Sequence, residues 1–199
     1  MRGRPLPFQK WEASLARRLA EGLRTPVPGV LNAIIPPPVI GGDLVNQRWY
    51  HYMEANAGLI PLLPETEYGD ACITRMDTHR ELHTMDWYDT VSALWADKDI
   101  TLVRGTDRSL VPEQMLAAAG APESICDVLA KPRHAYDELE ALYDKIIAAR
   151  RETVILCLGP AAKPLVHLLV QAGLSAYDLG HFGVWFKDGI PKQWEECRA

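Results

Sequence analysis

The sequence lacks any run of about 20 consecutive apolar residues, the length that a membrane-crossing helix needs. A membrane partner is therefore not expected. The N-terminal stretch MRGRPLPFQKWEASLARRLAEGL also lacks the apolar core of a secretory signal, and a cytoplasmic location is the expectation. Cysteine is sparse. Cys72, Cys126, Cys157 and Cys197 stand far apart, with no Cys-x-x-Cys and no Cys/His spacing of a zinc site. They read as reduced thiols rather than a disulfide framework, and Cys157, inside an apolar run, reads as a small core residue. An excess of positive charge is missing too. The 21 Lys and Arg are spread along the chain and outnumbered by 26 Asp and Glu, for a net charge of −5, so nucleic acid is not an expected partner. There is no internal repeat and no low-complexity segment.

What is present is an ordinary globular composition, 48% apolar and 24% charged, in 199 residues. That supports one domain over residues 1–199 with a core on both sides of a sheet. Trp11, Leu15, Leu19 and Leu23 recur at helical spacing, which predicts a helix over Phe8 to Leu23, stopped by Thr25-Pro26-Val27-Pro28-Gly29. Val30 to Ile35 reads as a short strand, Asp43 to Leu59 as a helix and Ala71 to Arg75 as a strand. Helix Asp86 to Ala96, strand Ile100 to Val103, helix Ser109 to Ala119 and strand Ile125 to Leu129 follow. The last third is clearest: helix Tyr136 to Arg150, apolar strand Thr153 to Leu158, helix Ala161 to Ala172 closed by Gly173, and strand Ala176 to Leu179. The unbroken TVILCL run is the pattern of a parallel strand covered on both faces. Alternating strands and helices predict an α/β fold, Rossmann-like, with a mainly parallel sheet flanked by helices. Ligands of such sheets bind at the carboxyl ends of the strands.

Several loops at those ends carry chemistry. Gly159-Pro160 joins a strand to a helix whose first N–H groups form an anion site, with Lys163 in the first turn. A plain strand-to-helix turn fits the same residues. Asp178, Gly180 and His181 follow the last strand. Asp178 suits a ribose hydroxyl or a metal, and His181 suits a metal, a phosphate or a base. An Asp capping a turn and a satisfied His fit equally well. Arg104 and Gly105 follow another strand, in a loop where Arg104 or Arg108 can clamp a diphosphate, and the basic loop Lys131-Pro132-Arg133-His134 can touch a nucleotide. Solvated surface charge is the plain alternative for both. Glu67-Tyr68-Gly69-Asp70 leads to Ile73-Thr74-Arg75, where a turn feeding a strand is the plain alternative. Asp77, His79, His83 and Asp86 are metal-ligand types without a zinc spacing.

Taken in order, these segments resemble the GT-D glycosyltransferase family, formerly a domain of unknown function. The family pattern, an apolar strand ending near G-I-P, then YGxAFISR, V-x-G, P-x-x-N/H-A-F/Y, LLALGPTA and A-I-D-I-G-H, reads here as NAIIPPP, YGDACITR, ITLVRGTDR, KPRHAYDEL, VILCLGPAA and AYDLGH. The resemblance spans about residues 9 to 185. It implies transfer of a sugar from a nucleotide-sugar donor, UDP-glucose or similar, to a hydroxyl, with assistance from a divalent metal such as Mn or Mg. In that frame Gly159, Pro160, Arg104, Gly105, Arg133, Gly180, Asp70 and Arg75 hold the donor. Asp178 and His181 are the catalytic base and metal candidates.

Two departures mark this chain. The RFGDGE-like segment that family members carry upstream of the first helix is absent. The Asp-x-Glu that often follows Gly-His is replaced by Phe182-Gly183-Val184-Trp185, with no acid before Asp188. A divergent subgroup is the expectation. A non-catalytic nucleotide-binding or assembly protein, and a transferase acting on modified DNA bases, stand as alternatives. The acceptor is unnamed, and a homo-oligomer is left open.

Overall fold

The computed structural model describes residues 9–34, 54, 57–58, 63–71, 74, 85–105, 110–117, 120–180 and 182–183. The first helix, α1 (Ala13–Arg24), begins later than its apolar spacing predicts. Residues ahead of it are drawn out along a distant loop instead. The Lys10 N–H donates to His134 Nδ1 at 2.9 Å, the Tyr136 N–H donates to Gln9 Oε1 at 3.5 Å, and Lys10 Nζ meets Asp137 Oδ2 at 2.8 Å. Thr25 caps the other end, its N–H donating to Glu21 O at 2.8 Å, and Pro26 and Pro28 keep the chain from continuing as helix.

Two short strands, β1 (Ala33–Ile34) and β2 (Gly69–Asp70), pair in parallel as a separate small sheet. The predicted strand at 71 to 75 lies earlier than expected. Pairing ends where the Ala71 N–H donates to Ile34 O at 2.9 Å, and Ala71 and Thr74 lie in turns. The predicted helix over 43–59 lies almost wholly outside the described residues.

The main body runs α2 (Met85–Ser92), β3 (Asp99–Arg104), α3 (Pro112–Ala117), β4 (Ser124–Leu129), a 3-10 turn (Ala135–Glu138), α4 (Leu139–Ala149), β5 (Thr153–Cys157), a second 3-10 turn (Gly159–Ala161), α5 (Ala162–Gln171) and β6 (Ser175–Asp178). The four strands β3 to β6 form one sheet in the order β4-β3-β5-β6, every neighbouring pair parallel. Alternation along the strands divides the core in two. Ile100, Leu102, Ile155 and Cys157 pack with Val91, Trp95, Leu110, Met115 and Phe182 on one face. Val103, Val154 and Leu156 pack with Leu139, Leu142, Ile146, Leu165 and Leu169 on the other. Helices therefore cover both faces, which is why TVILC can be apolar without a break. Burial pushes the Cys157 thiol up to about 12, so it stays neutral as a core group.

The ends of α5 match their sequence signals. Gly173 takes φ +84°, its N–H donates to Val170 O at 2.9 Å, and the Leu174 N–H donates to Leu169 O at 3.0 Å. This paired closure satisfies the last carbonyls and turns the chain into β6.

The strand order also fixes where a ligand can enter. From β3 the chain moves by way of α3 to β4 on one side; from β5 it moves through α5 to β6 on the other. Since β3 and β5 are neighbours and lead to strands on opposite sides of the pair, the topological switch point, where sheets of this kind have their crevice, lies at their carboxyl ends.

Candidate active site

The switch point lies where β3 ends at Arg104 and β5 gives way to Leu158. Arg104 stands opposite Cys157 in the β3–β5 register. Its guanidinium grips Asp127 with Nε to Oδ1 at 2.9 Å and Nη2 to Oδ2 at 2.7 Å. The hydrogen bond to Asp127 is the main cause that raises the Arg104 pKa, so its charge is permanent. Gly105 lies against the loop before α4: a Cβ there would sit 3.7 Å from Lys131 O and from Pro132 Cα. The Ala130 N–H donates to Arg104 O at 2.9 Å, tying that loop to β3. Arg133 is exposed on it. His134 next to it takes φ +61°, unusual for a residue with a Cβ, and its ring accepts the Lys10 N–H.

Gly159 holds φ +60°, which glycine alone adopts without a steric penalty. Pro160 sits at the start of the 3-10 turn, where its missing N–H costs nothing. No side chain caps this turn or the start of α5, so the N–H groups there are not consumed by a capping residue. The two 3-10 turns, the first following Arg133 and the second opening at Gly159, contact one another. Arg104, Gly105, Arg133, Gly159 and Pro160 thus share one edge of the sheet.

Beside that crevice, at the β6 end, lies a cleft of about 520 Å³ between the β1–β2 pair and α5. Asn32, Asp70, Lys163, His167, Asp178 and Gly180 line it. Asp178 ends β6, opposite Leu156 of β5, and its Oδ1 accepts the Gly180 N–H at 3.0 Å. This turn is the structural role expected for an Asp in that loop, and it orients the carboxylate at the cleft mouth. Asp70 enters from the far wall on β2. Sequence reasoning placed Asp70, Asp178 and Gly180 near the site but not in one cavity, because the β1–β2 pairing that carries Asp70 there is only two residues long. Lys163 and His167 lie one turn apart on α5. His167 was missed: it interrupts an apolar helix and carries no motif. Burial, then the Lys163 charge, holds its pKa below the ordinary value of 6.5. Asn32 was missed as well, being read only as the start of a strand.

His181, Arg75, Arg108, and the metal-type residues Asp77, His79 and His83 lie outside the described residues. Asp70 and Asp178 suit a hard divalent cation. Among the described residues, however, no three His, Cys, Asp or Glu side chains converge, so these residues do not by themselves assemble a complete metal site. Also among the described residues, no helix is long and apolar enough to cross a membrane.

A four-stranded parallel sheet covered by helices on both faces, with its connections reversing at β3 and β5, places the protein in the Rossmann-like α/β class. The family is more specific: the glycosyltransferase GT-D fold family matches residues 1–195, and the chain belongs to it. The chain is 28% identical over 199 residues to a probable glycosyl transferase, Gly, of Streptococcus gordonii, covering 94% of this chain and 29% of that protein. It is 27% identical over 146 residues to the glycosyltransferase GlyD of Streptococcus pneumoniae, covering 70% of this chain and 17% of that one. The chain thus spans less than a third of the length of either relative. Among solved structures, a domain described as having a distinct glycosyltransferase fold superposes with a TM-score of 0.75 at 25% identity, covering 99% of this chain and 71% of the other. A glycosyltransferase of Streptococcus sanguinis shares the fold, with a TM-score of 0.75 at 24% identity over 99% and 74% of the two chains.

Proposed function

We propose that this chain is a single catalytic domain that transfers a sugar from a nucleotide-diphosphate sugar, a UDP-sugar in the first instance, to a hydroxyl of an acceptor. The observation that carries the reading is the adjacency of two unlike environments at one sheet edge. On the β3–β5 side stand a permanent cation, Arg104, the exposed Arg133, and the turn at Gly159. On the β6 side stand two carboxylates, Asp70 and Asp178, in a cleft of small-ligand size.

Sugar transfer needs both. As the bond from the anomeric carbon to the diphosphate oxygen breaks, charge collects on the leaving phosphate. In this reading Arg104, Arg133 and the N–H groups at the Gly159 turn stabilise it. Gly159 has no side chain to hold the phosphate away from the backbone. The acceptor hydroxyl must lose its proton as it attacks the anomeric carbon. Asp178 takes that proton in this reading, with its Oδ1 oriented by Gly180 N–H. His181 and Arg75 belong to the same edge by sequence and are proposed as helpers of that step and of donor binding. A divalent metal at Asp178 and His181 would supply further stabilisation of the diphosphate charge.

The test is turnover and binding with a panel of UDP- and GDP-sugars, with and without manganese or magnesium. Nucleotide release above background, lost in Asp178→Asn, is the expected result. No binding of any nucleotide to the wild-type chain would sink the proposal.

A further inference from the structure

The segment ahead of α1 reaches across the molecule to the loop that carries Arg133. The Lys10 N–H donates to His134 Nδ1 at 2.9 Å, Gln9 Oε1 accepts the Tyr136 N–H at 3.5 Å, and Lys10 Nζ meets Asp137 Oδ2 at 2.8 Å. Two adjacent residues thus hold three of the four positions from 134 to 137. Gln9 is itself buried, and its Nε2 donates to Glu12 Oε1 at 3.3 Å, which ties the clasp to the start of α1. From within that helix Arg18 adds a contact, its guanidinium carbon 5.9 Å from the centre of the Tyr136 ring.

His134 needs such a hold. It takes φ +61° and ψ +40°, a left-handed conformation that a residue with a Cβ keeps only where its surroundings fix it. The loop is fixed on its other side as well. The Lys131 N–H donates to Glu138 Oε2 at 3.2 Å, and Lys131 Nζ meets Glu138 Oε1 at 3.1 Å. Arg133 therefore lies between two anchored residues. Its loop packs on Gly105 at the end of β3, and the 3-10 turn that follows touches the turn at Gly159. Lys10, Lys131, Arg18 and Arg104 each have a carboxylate partner: Asp137, Glu138, Glu140 and Asp127. Arg133 is exposed and has no carboxylate partner among the described residues.

From these contacts we infer that His134 is a positioning residue for donor binding: Gln9 and Lys10 lock the turn at His134, and through it hold Arg133 ready for the diphosphate. The inference rests on the transferase reading, in which Arg133 meets the donor, and deepens it by bringing a segment remote in sequence into the service of that site. A loop without the clasp has to be ordered at the moment of binding, and the cost of ordering it appears as lost affinity.

The test varies the clasp with Arg133 present and absent. His134→Gly keeps the left-handed backbone and removes the acceptor. His134→Asn restores the acceptor, since Asn tolerates the same backbone and its Oδ1 stands as many bonds from Cβ as the histidine Nδ1. Gln9→Leu loosens the clasp from its other end without touching residue 134. Each is made in the wild-type chain and in Arg133→Ala, and UDP affinity is measured by calorimetric titration well below the melting temperature. Arg133→Ala is expected to weaken UDP binding roughly tenfold, the size of one hydrogen bond to a charged group. His134→Gly and Gln9→Leu are expected to weaken it about threefold in the wild-type background and not at all in Arg133→Ala, because the residue they position is gone. His134→Asn is expected to bind as the wild type does. That pattern supports the inference, and a merely structural role for His134 does not produce it. Equal losses in both backgrounds overturn it, because His134 then acts without Arg133. So does a loss in His134→Gly that His134→Asn leaves unrestored, or full affinity in both His134→Gly and Gln9→Leu. If His134→Gly does not fold, Gln9→Leu in the two backgrounds decides alone. UDP binding that Arg133→Ala leaves unchanged overturns this inference and leaves the transferase reading standing. Failure of the wild-type chain to bind any nucleotide overturns both.

Discussion

Arg104 of β3 and Asp127 of β4 meet fork to fork at the sheet edge, with both contacts under 3 Å. Two of the five guanidinium N–H groups are spent on Asp127, and the plane of the group is set by that grip. Three N–H donors are not used by Asp127. Arg104→Lys keeps the charge and loses the fork. It is expected to weaken UDP binding about tenfold while lowering stability by only about 0.5–1 kcal/mol, since the pair is partly exposed. Calorimetric titration with UDP and thermal denaturation read the two effects separately. Unchanged UDP affinity in Arg104→Ala would remove Arg104 from the donor site and leave it a structural clamp.

Gly159→Ala probes the turn. At φ +60° a Cβ costs about 1–2 kcal/mol. A methyl would also stand where the backbone must approach a phosphate. Donor affinity is therefore expected to fall by more than the loss of folding stability accounts for, as measured by UDP titration well below the melting temperature. Loss of stability with intact UDP binding would return Gly159 to an ordinary strand-to-helix turn.

Acid should weaken the fold through His167. Its folded pKa lies below 6.5, so between that value and 6.5 the unfolded chain binds a proton that the folded chain refuses. Stability from this group is full above pH 6.5 and falls as the pH drops through that window. Burial, then Lys163 on the same helix, opposes the imidazolium, and Asp70 and Asp178 are the carboxylates that line the same cleft. In urea melts at pH 7.5 and 5.5, His167→Asn should lose less stability than wild type on acidification. An equal loss in both proteins would show that other groups dominate. Asp137 shifts the same way, its pKa lowered mainly by Lys10, but that clasp is held above the carboxylate range and is lost only as the pH falls into it.

Thr101 sits at the centre of β3 with no exposed surface, and its hydroxyl has no hydrogen-bond partner among the described residues. Thr101→Val has nearly the same shape without the orphaned group. It is expected to raise stability by about 1 kcal/mol in equilibrium denaturation. A loss of that size instead would reveal a partner for the hydroxyl.

The parts of the fold that sequence made legible are those where pattern and packing agree. The run at Thr153–Cys157 is apolar because both its faces are covered, and the end of α5 is marked by Gly173 because only a left-handed residue closes it this way. The start of α1 was obscured because Gln9 and Lys10 bond to a loop more than a hundred residues away, and no local periodicity records such a partner. The position of β2 was obscured for a similar reason: its pairing is set by Asn32 and Ile34, not by its own residues. At the site, glycines and charges at strand ends were readable from their spacing. The cleft was not, since it arises where α1, the β1–β2 pair and α5 come together. His167 becomes visible only once Gly22 is known to face it.

The neighbouring of β3 and β5 has a consequence in time. As the chain leaves the ribosome, β3 and β4 can pair as soon as β4 is made, but the other edge of β3 stays open until Cys157 has been synthesised to face Arg104. That open edge belongs to a strand carrying Ile100, Leu102 and Val103, all buried in the finished fold, so the nascent chain carries a sticky flank for that interval. The crevice itself does not exist in any partly folded species lacking β5. Nucleotide binding should therefore return in refolding only once β5 has paired with β3, after most helical signal has returned, because helices form from local contacts and this strand pairing does not.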